Sequence, residues 1–168
     1  ACALWMAGRQ PLLMDMGASA ADVDHVVALF RRGQYWGAIS KSNSPFLRYR
    51  DPIYRTLREL SISFFPQYVL KRSKTLRTYS VSIDLQKYDP ALWVTHQGYC
   101  LKMIETLTSA RHFNLLPNDF EDDQLRPIDT IEAHSNNLTE HVEPKKIIRL
   151  DGHLSPPSPL DQAASAEK

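Results

Sequence analysis

Two short segments hold the residues best suited to chemistry. In Asp24-His25-Val26-Val27-Ala28-Leu29-Phe30, a histidine opens an apolar run that reads as a strand. In Tyr35-Trp36-Gly37-Ala38-Ile39-Ser40-Lys41-Ser42-Asn43, small polar residues close the next one. A histidine held by a hydroxyl or an amide is the base half of a cysteine-dependent acyl-transfer site. The partner fixes one ring nitrogen, and the other takes a thiol's proton. The nucleophile is harder to find. The chain has two cysteines, Cys2 and Cys100. A reactive thiol belongs at a helix N-terminus, where the dipole lowers its pKa.

The elements that must position these groups follow from pattern. Val23 to Phe30 and Tyr35 to Ile39 read as a hairpin. With a two-residue Arg32-Gly33 turn, paired positions sum to 65, so His25 faces Ser40 and Trp36 faces Leu29. Directly paired β-carbons lie ~4.5–5.5 Å apart, within reach of a hydrogen bond between side chains. Ser40 is therefore one orienter for His25, and Asn43, just past the strand end, is the other. Trp36 is expected to wall the cleft. Ala1 to Ala7 is helix-forming, with Gly8 as its C-terminal cap. A helix so short is expected to be the end of a longer one. Pro11 to Met16 reads as a buried strand carrying Asp15, and Gly17 to Asp22 as a loop.

Asp51-Pro52 predicts a helix start, with Ile53, Leu57, Leu60 and Phe64 at helical spacing up to Pro66. Thr75 to Leu85 predicts a strand, Leu92-Trp93-Val94 a shorter one, and Gln97 to Arg111 a helix. Pro127 to His141 holds one short helix. From Gly152 onward the Pro, Ser and Ala content predicts a disordered tail. The expected organisation is one domain over 1–150 and a tail over 151–168.

At 168 residues the chain is long enough for one sizeable core. Its formal net charge of +1 gives no global field toward nucleic acid or membrane. No apolar run approaches the ~20 residues of a membrane span. Two cysteines make no disulfide framework and point to free thiols in a reducing compartment, hence a cytoplasmic expectation. Nothing calls for a cofactor. His96 and Cys100 stand four apart, but two ligands do not make a metal site, so no metal is expected. Arg48, Arg50, Arg55, Arg58, Lys71, Arg72, Lys74 and Arg77 crowd one third of the chain. A solvated face with pairs such as Arg55–Glu59 explains them better than a nucleic-acid surface.

The run from Asp24 to Phe30, the run from Trp36 to Asn43, and Leu47-Arg48-Tyr49-Arg50-Asp51-Pro52 through Leu60 together resemble a bacterial group of uncharacterised transglutaminase-like proteins. The likeness continues through Lys74 to Ser80 and fades after about residue 135. The resemblance implies an α+β fold with a papain-like core, one helix packed on an antiparallel sheet, and extra C-terminal helices. It implies a thiol hydrolase or acyltransferase acting on an amide of a peptide or protein. His25 matches the superfamily histidine. The superfamily's acid stands four residues after a tryptophan, which here is Ser40 rather than Asp. Asn43 is a substitute of the kind papain-like enzymes use. The family's helix runs several turns beyond its cysteine, so Cys2 falls mid-helix as a small core residue and the nucleophile is expected before residue 1. Two other readings stay open: a non-catalytic binding domain of the same fold, and a nucleic-acid-associated protein.

Overall fold

In the computed structural model, residues 1–95 and 100–134 are described. The expected tail from Gly152 lies outside them, as does His96. Over the described residues the chain is a mixed α+β fold built on an antiparallel sheet. The strands are β1 (Leu12–Ala18), β2 (His25–Arg32), β3 (Tyr35–Ile39), β4 (Tyr49–Tyr54), β7 (Leu76–Ser80), β8 (Ile83–Asp84) and β9 (His112–Asn114). They lie in the order β4-β3-β2-β1-β7-β9, with β8 also pairing β1. A separate two-stranded ribbon joins β5 (Val69–Leu70) to β6 (Ser73–Lys74).

Strand alternation sends Leu12, Met14 and Met16 of β1 to one face, beside their partners Leu29, Val27 and His25 of β2. Helix α2 (Leu57–Phe64) covers this face with Leu60 and Phe64, both fully buried. Leu12, Met14, Met16, Val27, Leu29, Leu60 and Phe64 form one cluster with Leu76 and Tyr68. His25 is thus the polar end of a core-facing row. On the opposite face α4 (Leu101–Thr108) packs on β1, burying Met103 and Leu107.

The first helix, α1 (Cys2–Met6), is stopped by a local motif. Gly8 takes φ +70°, the Gly8 N–H donates to the Trp5 carbonyl at 2.9 Å, and Arg9 N–H donates to the Leu4 carbonyl at 2.9 Å. This is the paired bonding of a Schellman cap, and glycine adopts the left-handed residue without a Cβ clash.

Three expectations are corrected. Asp51-Pro52 does not open a helix: both residues lie in β4, an edge strand. Proline is tolerated there, and the β3–β4 register shifts between Trp36 and Ala38, opposite this segment. The helix starts later, where the Thr56 side chain accepts the Glu59 N–H at 3.1 Å and Glu59 reaches back to the Arg55 N–H at 2.8 Å. Ile53 therefore sits on the strand, largely exposed. Leu92-Trp93-Val94 is no strand either. Asp89 caps the Ala91 N–H and Pro90 opens α3 (Pro90–Trp93). Finally, the hairpin turn is Gly33-Gln34, with Gly33 at φ +61°. Arg32 pairs Tyr35 and Arg31 pairs Trp36, so partners sum to 67 rather than 65.

Candidate functional site

The two-residue slip makes Ser40 diagonal to His25 instead of directly opposite. Side chains on a strand alternate with period two, so the slip leaves both on the same face. His25 Nε2 and Ser40 Oγ are 2.9 Å apart. Ser40 Oγ donates to the Leu47 carbonyl at 2.5 Å. Counting protons then fixes the histidine. A carbonyl can only accept, so the one hydroxyl proton of Ser40 goes to Leu47. Ser40 Oγ must accept from His25, which places the proton on Nε2 and leaves the lone pair on Nδ1.

The surroundings hold His25 neutral. Burial pushes its pKa below the ordinary value, against opposing pulls from the Leu47 carbonyl and the Asp15 charge. The edge of its ring meets Tyr68, with centroids 6.5 Å apart. The Tyr68 hydroxyl donates to the Val23 carbonyl at 2.5 Å, and burial raises its pKa, so it stays a neutral phenol. Tyr68 thus pins the chain just before His25.

A cavity of about 420 Å³ opens beside this pair. Asp22, Asp24, His25, Lys41, Asn43 and Tyr68 are among its lining residues, with Gln67 also on the wall. Asp24 Oδ1 accepts the Ala18 N–H at 2.8 Å, and the hydrogen-bond partner of the His25 ring is Ser40. Asp22 Oδ2 likewise accepts from Thr75 Oγ1 at 2.5 Å. Gln67 presents its carbonyl to Arg50 at 2.5 Å.

The structure brings together His25 and Ser40, and places Asn43 on the rim of the same cavity, exposed and with no hydrogen bond to His25. Trp36 is not part of it. It faces Arg31 rather than Leu29, and the Arg31 guanidinium lies 4.2 Å from its ring centroid. Four residues of strand, about 13 Å, separate it from Ser40. Neither thiol lines the His25 cavity. Cys2, in α1, points its sulfur toward the Trp93 carbonyl at 3.8 Å. Cys100 and Cys2 share a different cavity with Leu13, Leu85, Trp93 and Met103. Among the described residues, no three His, Cys, Asp or Glu side chains are grouped so as to hold a metal ion. No helix among them is long and apolar enough to cross a membrane.

Sequence reasoning missed Tyr68 and Gln67. The available signal was weak: a buried tyrosine needs a partner for its hydroxyl, and Tyr68 follows the Pro66 that ends a helix. It also missed His112, whose Nε2 lies 3.2 Å from Oδ2 of the buried Asp15.

The depressed pKa of His25 gives a stability test. The unfolded chain binds a proton near pH 6.5, the folded chain only at lower pH. Between those values the unfolded state holds more protons, so stability is fully present above about pH 6.5 and falls as pH drops. Urea midpoints measured at about pH 7.5 and about pH 5.5 should converge on acidification for wild type and His25→Gln. A constant difference between the two would show that His25 is not held neutral.

No family model matches the chain, and no curated protein is measurably similar to it.

Proposed function

We propose that this domain supplies the base of a transglutaminase-like, papain-like acyl-transfer site acting on amide bonds of peptides or proteins. One observation carries the reading: Ser40, anchored by the Leu47 carbonyl, holds His25 with its proton on Nε2 and its lone pair on Nδ1. The placement of a helix on the antiparallel sheet agrees with such a core, and the quoted sequence runs carry the resemblance.

In this reading a thiol beside His25 gives its proton to Nδ1, and the thiolate attacks the amide carbonyl carbon. The imidazolium that forms keeps its Nε2–H on Ser40. It then returns the Nδ1 proton to the departing amine nitrogen, and the acyl group remains as a thioester. Water or an amine, deprotonated by Nδ1, releases the acyl group and restores the thiol. Neither Cys2 nor Cys100 is placed for this role. In this reading the thiol is supplied by a group other than Cys2 and Cys100.

The test uses that requirement. A small alkyl thiol and an activated acyl ester are added to the protein, and acyl transfer to the thiol is followed. Wild type should outpace His25→Ala by about tenfold or more, the low end of general-base contributions. The difference reports loss of the base, provided His25→Ala melts as wild type does.

Equal rates favour a second reading, a non-catalytic binding domain of the same fold. The absence of both thiols from the His25 cavity, with Ser40 where an acid is expected, is the observation behind it.

A further inference from the structure

Sulfur gathers at one place away from His25. A cavity of about 240 Å³ is lined by Cys2, Cys100 and Met103, together with Leu13, Leu85 and Trp93. Both cysteines are free thiols and partly buried. Four elements converge there. Cys2 lies in α1, Trp93 ends α3, Met103 lies in α4, and Leu13 of β1 is the floor beneath them.

The backbone fixes how these sulfurs meet. Cys100 is the N-cap of α4, and its carbonyl accepts the Met103 N–H at 3.0 Å. The thiol and the thioether are therefore three positions apart on a formed turn, neighbours on one side of the helix. Cys2 arrives from the other wall. Cys2 and Trp5 are likewise three apart in α1, and Trp5 meets Trp93 edge-on, with centroids 5.4 Å apart. That ring contact docks α1 on α3 and leaves Cys2 Sγ 3.8 Å from the Trp93 carbonyl.

The polar chemistry of this lining is soft. Among the described residues no carboxylate, imidazole or hydroxyl lines the cavity. Trp93 adds an indole N–H that is buried and has no hydrogen-bond partner among the described residues. An unpaired buried donor is costly, and a thiolate sulfur would be an acceptor for it. Hard cations take oxygen ligands, which this lining lacks. A structural zinc site takes four N or S ligands, and two thiols with no histidine fall short of it. Thiolates together with a thioether select monovalent copper, a closed-shell ion content with low coordination. The third donor is a methionine, so no group of three His, Cys, Asp or Glu side chains marks the place.

We propose that this cavity binds one monovalent copper ion between the Cys2 and Cys100 thiolates and the Met103 thioether. Two Cu–S bonds form as both thiols lose their protons to solvent, the thioether adds a third, and the copper stays monovalent. Cys2 gives up its contact with the Trp93 carbonyl, and the Trp93 N–H gains a charged sulfur as its acceptor. The ion then ties α1 to α4.

Anaerobic titration of the reduced full chain with Cu(I), in competition with bicinchoninate, tests this. One ion per chain should leave the chelator, with a new ultraviolet thiolate-to-copper band. Tryptophan fluorescence should be quenched, because Trp93 lines the cavity and Trp5 touches Trp93. Cys2→Ser and Cys100→Ser should each abolish retention against the chelator. Met103→Leu keeps the bulk of the side chain and should weaken retention about tenfold or more, the scale of losing even an outer partner of a metal ligand. Zn²⁺ should be retained far less well than Cu(I). His25→Gln should bind as wild type does, which keeps this outcome independent of the acyl-transfer reading. Melting curves confirm that each variant folds. If a serine variant does not, methylthiolation of both thiols in the folded wild type takes its place and should block uptake. No copper drawn from the chelator, uptake that survives loss of the thiols, or Met103→Leu indistinguishable from wild type overturns the proposal. So does Zn²⁺ held as tightly as Cu(I).

Discussion

Phe64→Ala is expected to lower the free energy of unfolding by about 3–5 kcal/mol, read from urea denaturation with an unchanged slope. Phe64 has no solvent exposure and lies where α2 meets the core-facing row of β1 and β2. Truncation removes its transfer free energy and leaves a void that close-packed neighbours fill only in part. A second loss adds to it. The Arg50 guanidinium sits 3.9 Å from the Phe64 ring centroid and would face an empty space. Ile62, two residues earlier on the same helix, is 41% exposed. Ile62→Ala should cost less than about 1 kcal/mol, because an exposed side chain leaves no cavity. Similar losses for the two substitutions would mean that α2 does not pack on the sheet through Phe64.

Asp15→Ala is expected to cost about 3 kcal/mol, in the range for breaking a buried pair, while Asp15→Asn stays within about 1 kcal/mol of wild type at neutral pH. The argument is again one of protons. His112 Nδ1 lies 2.7 Å from the Ala110 carbonyl and must donate to it. The contact of Nε2 with Asp15 then needs one further proton, on either group. Alanine removes the partner and leaves a largely enclosed ring nitrogen unbonded. Asparagine supplies an N–H that a neutral imidazole can accept, so the pair survives without charge. Burial raises the Asp15 pKa, and the His112 bond and the Asp24 charge adjust it in opposite directions. A raised folded pKa means stability is fully present below about pH 3.9 and is lost as pH rises through the folded value. Wild type should therefore gain on Asp15→Asn as pH falls. Equal destabilisation by Ala and Asn would require a fixed carboxylate in place of the shared proton.

The hairpin was readable because its apolar alternation is long and its turn holds a glycine. Its register was misread by two positions: Gly33, not Arg32, opens the turn. The face survived that error because two residues is one full period of a strand, and so His25 and Ser40 still meet. The same dipeptide misled at one place and informed at neither: Asp51-Pro52 was captured by the edge of β3, while Asp89-Pro90, with no strand beside it, opened a helix. Tyr68 was out of reach, since no local pattern links it to Val23, 45 positions earlier. Asp15 stood out as a charge in an apolar run, but its partner lies 97 residues further on. Such contacts are decided by how strands are ordered across a sheet, which periodicity does not encode.

Arg50 limits how this chain can drift. Its Nε and two terminal nitrogens donate to the Phe46 and Tyr49 carbonyls, to Ser63 Oγ and its carbonyl, and to Gln67 Oε1. One planar group thus ties a turn, an edge strand, a helix and the cavity wall. A lysine has three donors on a single atom and no flat face to lay on Phe64. The substitution most often regarded as mild would leave several acceptors unmatched. Changes at Ser63, Phe64 and Gln67 are likewise tied to one another through position 50. Among descendants of this sequence, these sites should vary together or not at all.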